Sequence, residues 1–256
     1  MPAPLIPVPL AVSNGIANVG TALVILMCAA QLPSFWLVFK RRLPIASLSF
    51  LPTLGQGANF VAWTLYGVAG TGDPNVIIVN VAGIGFVLLY VALFVAFSPP
   101  PARALIAKQV AALAAVLAPI EAGLLLALPR GAARTQFLAY VAMTFGVIMF
   151  ASPIAAVRAA LLKFDASKVP VALTIASLGC SSAWALYGAM IGDLNILAPN
   201  ALGALLSLAQ VATAAYILMR LRADPGLAPA RYSRLAGGGE DGEAEGAADG
   251  SDLLIG

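Results

Sequence analysis

The strongest constraint on this chain is that it is written twice. Ala62-Trp63-Thr64-Leu65-Tyr66-Gly67 returns as Ala183-Trp184-Ala185-Leu186-Tyr187-Gly188, and Gly72-Asp73-Pro74-Asn75 returns as Gly192-Asp193-Leu194-Asn195. Asn80 and Gly83 recur as Asn200 and Gly203, and Pro33 recurs as Pro153. The offset is 121 residues for the first motif and 120 for the rest, so one unit is duplicated with a one-residue slip. A fold for one copy must serve for the other, and the two must bury their apolar faces together.

Hydrophobic residues make up 61% of the chain, charged residues 10%, and the mean hydropathy is +0.95. A soluble domain carries about 25% charged residues. The charge lies between seven apolar stretches, at roughly 11–39, 46–70, 74–98, 104–128, 135–162, 169–191 and 194–219. Each reaches the ~20 residues that a helix needs to cross the hydrocarbon layer. The expected molecule is therefore an all-α integral membrane protein of seven helices. Residues 1–10 have no basic residue and no short apolar core with a cleavage site, so the first stretch reads as a true span. With the N-terminus outside, 12 of the 14 Lys and Arg fall on the cytoplasmic side, against Arg130 and Arg134 opposite. The bias predicts N-terminus out and C-terminus in.

Six of the 11 acids cluster between Glu240 and Asp252; setting them aside leaves a balance of +9, suited to anionic cytoplasmic lipid and calling for no nucleic acid. Residues 222–256 read as a disordered acidic cytoplasmic tail. The chain has no His and two Cys, Cys28 and Cys180, both inside predicted spans. That argues against a disulfide framework and a zinc site, and excludes a Ser/His protease. No metal or other cofactor is expected. A retinal protein would need a Lys in the last span, and 194–219 has none.

The repeated unit is three spans, and an odd number of spans ends on the opposite side from its start. Two such units share an orientation only if one further helix reverses the chain, and 104–128 has no counterpart in either copy. The expected organisation is a first three-helix repeat within 1–98, a linker helix within 99–130 and a second repeat within 131–221. Two parallel bundles then face each other across an axis along the membrane normal, with a site at their interface.

Pro33, Pro52, Trp63-Thr64-Leu65-Tyr66-Gly67 and Asn80 in the first unit carry a family pattern. So do Ser152-Pro153, Pro170, Trp184-Ala185-Leu186-Tyr187-Gly188 and Pro199-Asn200-Ala201-Leu202-Gly203 in the second. Over about residues 11–220 this resembles the SWEET (MtN3/saliva) family of sugar transporters, in its seven-helix eukaryotic form. The resemblance implies bidirectional sugar transport, no enzymatic activity, and a homo-oligomer in which each protomer has its own pathway.

Asn80 and Asn200 lie deep in the third helix of each unit. An unpartnered amide in hydrocarbon costs several kcal/mol, so each must face a polar cavity or bond a neighbouring helix. Both ends of an amide match a sugar hydroxyl, which donates and accepts. Trp63 and Trp184 lie one turn deeper than Tyr66 and Tyr187. They suit either the interfacial belt or the C–H face of a pyranose. The resemblance assigns both pairs to the substrate. Asn59 and Cys180 each sit four residues before a Trp, on the same helix face. The family pattern adds Leu26, Ala29, Gly146 and Met149 as pocket-lining residues before the first-helix prolines. It also makes Pro33, Pro52, Pro153 and Pro170 a set of cytoplasmic-side kinks that act as hinge or gate.

Glu121, in the linker helix, is the one acid expected inside a span, near its outer end or snorkelling. With no other coupling group in a span, the simplest mechanism is a facilitative uniport of a mono- or disaccharide by alternating access. The alternative is a proton-coupled PQ-loop-like carrier of amino acids or other small organic solutes. Such carriers have Pro-Gln at the first-helix kinks, where this chain has Pro33-Ser34 and Pro153-Ile154. A scaffolding protein would leave the paired Trp and Asn unexplained. The expected location is the plasma membrane in preference to the vacuole.

Overall fold

A computed structural model describes residues 3–224, and among these every regular element is helical. The acidic tail expected for 222–256 lies outside the described residues from 225 on, and its first two residues belong to the last helix, which runs to Ala223. Hydrocarbon leaves this sequence little else to form: backbone polar groups must be satisfied within each span.

The first span is α1 (Leu10–Ala29) and α2 (Leu32–Phe39). The second is α3 (Leu51–Leu65), which continues into a π-helical turn, Tyr66–Thr71. The third is α4 (Pro74–Phe97), and the linker is α5 (Pro100–Ala127). The second repeat has α6 (Ala132–Met149) with α7 (Ala151–Lys163), then α8 (Val171–Ile191) and α9 (Leu194–Ala223). Among the described residues, six helical stretches are each long and apolar enough to cross a membrane. The seventh span is α3 together with its π turn.

Pro33 and Pro153 act where expected. Each lacks the N–H that the carbonyl four residues back would accept. Accordingly α1 stops at Ala29 and α6 at Met149. Tyr90 of α4, wholly buried, donates its hydroxyl to the Cys28 carbonyl at the first of these breaks. Pro52 and Pro170 behave differently from the kinks expected of them. Pro52 stands in the first turn of α3, and Pro170 is the N-cap of α8. First-turn N–H groups have no intrahelical acceptor, so a proline there starts a helix without bending it.

The packing is crossed between repeats. α1 packs on α8, and α6 packs on α3 and its π turn, while α3 and α1 pack on α4 and α8 packs on α9. Small residues let the crossing helices approach: Ser13, Ala17 and Gly20 are buried on α1, Ala139 and Ala142 on α6. α5 packs on α3, α4 and α6. Its Glu121 lies in the last two turns of α5, near the end expected for it, and is buried with Oε1 unpartnered, so it does not snorkel.

Candidate functional site at the interface of the repeats

The repeated motif folds into two matching hairpins at the face where α1 begins, here called the N-terminal face. Gly67 and Gly188 mark the closest approach within each hairpin. A Cβ at Gly67 would sit 2.8 Å from Ile77 Cγ1, and one at Gly188 would sit 2.7 Å from the Leu197 nitrogen. Gly72 and Gly192 then turn the chain with φ of 72° and 73°, a left-handed conformation open to glycine. Asp73 and Asp193 cap the next helix: Oδ1 of each accepts from the N–H two residues on, Asn75 and Asn195.

The second carboxylate oxygen reaches across the molecular axis. The Tyr66 hydroxyl donates to Asp193 Oδ2 at 2.6 Å, and the Tyr187 hydroxyl donates to Asp73 Oδ2 at 2.7 Å. Each hydroxyl also accepts from an amide of the opposite repeat, Asn195 Nδ2 at 3.3 Å and Asn75 Nδ2 at 3.0 Å. Asn14 accepts from Asn75, and Gln136 donates to Asn195. The tyrosines are 1% and 3% exposed, so these crossed pairs form a closure between the repeats that buries both rings. Asp73, Asp193 and their tyrosines had no assigned role in the sequence reading. The recurrence of Tyr-Gly and Gly-Asp in both copies was the available signal.

Directly beneath lie the tryptophans. Each stands edge-on to its own closure tyrosine, Trp63–Tyr66 at 5.3 Å and 87°, Trp184–Tyr187 at 5.5 Å and 86°. Both belong to one cluster that includes Tyr66, Tyr187, Val76, Ile196, Met143 and Cys180. A Cβ at Gly20 would meet Trp184 Nε1 at 2.7 Å, so the bare backbone of α1 seats that indole. The Cys180 thiol faces the Gly20 carbonyl at 3.9 Å. Asn80 and Asn200 hold matching poses: each Nδ2 donates to a carbonyl one turn back, Val76 at 2.7 Å and Ile196 at 2.8 Å. Among the described residues neither amide makes another side-chain bond, so one N–H and Oδ1 remain for a partner. The second repeat adds a proline inside α9, Pro199, where the first has Val79.

Asn59 Oδ1 is buried without a partner, and a Cβ at Gly146 of α6 would lie 3.8 Å from it. The structure thus brings Asn59 and Gly146 together across the repeats. Met149 is 38% exposed at the end of α6. Leu26 is 61% exposed, and neither it nor the half-buried Ala29 joins the tryptophan cluster. Ala17 and Gly20 of α1 hold the buried positions of Ala139 and Ala142 of α6, and Asn14 answers Gln136, an offset of 122 residues. By that register Val24, packed against the cluster, answers Gly146. Counting back from Pro33 differs by two residues, which turns a helix by about 200°. Two hollows, of about 340 and 590 Å³, lie on α6 and between α2 and α4, and neither is lined by the paired Trp or Asn.

Fold and site define a membrane protein of two parallel three-helix repeats, crossed over one another and closed at one face. Comparison with known proteins agrees. The family model described as "Sugar efflux transporter for intercellular exchange" matches twice, over residues 15–102 and 136–223. The sugar transporter SWEET1 of Mus musculus is 34% identical over 169 residues, 66% of this chain and 75% of its own length. The bidirectional sugar transporter SWEET4 of Oryza sativa subsp. indica is 28% identical over 199 residues, 77% of this chain and 76% of its own length. A solved structure of a eukaryotic SWEET transporter superposes with a TM-score of 0.75 at 24% identity, covering 81% of this chain and 97% of that one. The chain belongs to the SWEET (MtN3/saliva) family and is an integral, multi-pass membrane protein.

Proposed function

We propose that this protein is a facilitative sugar uniporter that works by alternating access around a pocket between its repeats. The observation that carries this reading is the crossed Tyr–Asp closure lying edge-on to both tryptophans, so that opening the gate must move the walls of the pocket. The relatives named as sugar transporters support the substrate class. Trp63 and Trp184 stack on the two faces of the pyranose, whose weakly positive C–H groups suit an indole face. Asn80 and Asn200 offer their unused N–H and Oδ1 to hydroxyls. Asn59, whose buried oxygen lacks a donor, receives one from the sugar. Gly146, Met149 and Cys180 bound the space, with Val24 of α1 in the register of Gly146, whereas Leu26 and Ala29 fall outside the tryptophan cluster. Pro33 and Pro153, at the two helix breaks, are the hinges; Pro52 and Pro170 anchor the helix starts at the same face.

Sugar binding relaxes the closure on one side while the far ends of α2 and α7 draw together. With no ion required, flow follows the gradient in either direction. The N-terminal face is outside, the membrane is the plasma membrane, and protomers associate as a homo-oligomer with one pathway each.

Uptake of radiolabelled glucose and sucrose into proteoliposomes, with and without an imposed proton gradient, tests this in wild type and Asn200→Ala. Saturable uptake of either sugar that ignores the gradient and falls at least tenfold in the variant is the expected result. Failure to take up either sugar overturns the sugar reading. Accumulation driven by acid overturns uniport.

A further inference from the structure

The hollow of about 590 Å³ between α2 and α4 is the larger of the two, and it faces away from the interface of the repeats. Its walls are Leu32, Phe35, Trp36 and Phe39 of α2 with Leu93 and Phe97 of α4. No ionisable or hydroxyl side chain lines it. Its volume falls in the about 300–1,000 Å³ range of small-molecule sites. The walls are fixed: Phe35 stacks on Tyr90 at 5.2 Å and meets Phe94 edge-on, and Trp36 stacks on Phe39 at 5.5 Å. Trp36 and Phe39 nonetheless remain 57% and 56% exposed.

At the mouth of this groove the charge changes abruptly. Lys40 Nζ lies 4.7 Å above the Trp36 ring and 5.8 Å from that of Phe39, which holds the ammonium over the opening. Arg41 and Arg42 follow at once, both exposed, and neither makes a side-chain hydrogen bond or ion pair among the described residues. Arg103 donates to the Ser98 and Ala96 carbonyls, on either side of Phe97 at the groove's other wall. The turn itself is built against its own preference. α2 closes with Arg41 N–H on Val38 and Arg42 N–H on Leu37, a pairing that puts Arg41 at φ 54°, where glycine is the usual residue. An arginine at a glycine position keeps a charge there at the expense of backbone ease.

We propose that this groove is a binding site for one anionic phospholipid, its acyl chain against α2 and α4 and its phosphate on Lys40, Arg41 and Arg42. A long apolar slot ending in three adjacent cations, with no countercharge on them among the described residues, complements such a lipid. A zwitterionic lipid would set its own cation against them. A Trp at the junction of slot and headgroup is the residue that interfaces favour. The site touches Pro33, so its occupant rests against the α1–α2 break.

The test uses the full-length protein in detergent, with native mass spectrometry and thermal melting during titration of phosphatidylglycerol, phosphatidylcholine or glycerol phosphate. Wild type is expected to retain one phosphatidylglycerol and to melt higher with it, and to respond to neither of the others. Arg41→Gly should melt at or slightly above wild type without lipid, since glycine adopts the turn freely, yet bind phosphatidylglycerol about fivefold more weakly. Lys40→Gln with Arg42→Gln should weaken it by about 25-fold, and Leu93→Trp, which fills the slot, should abolish retention. Equal response to phosphatidylcholine, full response to glycerol phosphate, or wild-type affinity in the charge variants would each overturn the proposal. Retention of a second protein copy instead of lipid would make the groove a subunit interface, which also overturns it.

Discussion

At the scale of single residues, the closure depends on two tyrosines whose bonds look alike and whose surroundings differ. Asp193 is 4% exposed, whereas Asp73 is reached by solvent. Removing the Tyr66 hydroxyl leaves a buried carboxylate oxygen without its donor; removing that of Tyr187 leaves one that water can serve. Loss of a bond to a charged group costs about 1.5–3 kcal/mol when nothing replaces it. Tyr66→Phe should therefore destabilise the protein more than Tyr187→Phe, by about 2 against about 1 kcal/mol, and so melt at the lower temperature. Melting of both variants in one detergent decides it, and the reverse order would contradict the burial argument. The repeat made every one of these residues conspicuous in the sequence, since Tyr66, Asp73 and their copies recur with their neighbours. What it left open is that each Tyr bonds the Asp of the other copy. A duplication reports what is equivalent, and crossing is a property of how the two units face each other.

At the scale of elements, the one-residue slip in the repeat has a structural address. Between Gly67 and Gly72 stand four residues, Val68-Ala69-Gly70-Thr71; between Gly188 and Gly192 stand three. The surplus residue is absorbed as the π turn at Tyr66–Thr71, so Asp73 still arrives opposite Tyr187. A π turn is what an inserted residue makes in a helix that must keep both of its ends in place. Deleting Val68, which is 59% exposed, should convert the turn to α-helix and leave a folded protein. Deleting Met190 of α8 has no surplus to remove and would swing Asp193 away from Tyr66. Size-exclusion profiles and melting of the two deletions provide the check: a folded Val68 deletion beside a misfolded Met190 deletion is expected, and equal damage would refute it. The spans, the linker and the helix breaks at Pro33 and Pro153 were all legible, because hydrocarbon length and a missing N–H act locally. Pro52 and Pro170 were misjudged as kinks because the second helices start later than the apolar stretches do: Leu48 and Val169 are hydrophobic enough to extend a span, yet both have extended backbone. The register of α1 was also hidden, since it is set by packing on α8 and not by distance from a proline.

At the scale of the whole molecule, contact between the repeats is uneven along the membrane normal. α1 with α8 and α3 with α6 join the repeats, and the Tyr–Asp pairs lock them at the N-terminal face. Towards the other face, α2 packs on α4 and α7 packs on α9, each inside its own repeat. The structure is thus closed where α1 begins and unzipped where α2 and α7 end; under the alternating access proposed above, it is one of two states. A carrier of this kind exchanges states separated by a few kcal/mol, so weakening one lock shifts the population towards the other state. Cys180 supplies a native reporter, since it lies in the tryptophan cluster and is half-buried, whereas Cys28 is buried. In a Cys28→Ala protein in sealed vesicles of known orientation, a membrane-impermeant thiol reagent should reach Cys180 from the side where α2 ends. From the N-terminal side the reaction should be slow, and Tyr66→Phe combined with Tyr187→Phe should speed it several-fold while slowing the reaction from the opposite side. Both changes must occur together if the two faces are alternately exposed by one motion. Labelling that rises from one side and stays constant from the other would mean a leak through the closure, with no exchange of states behind it.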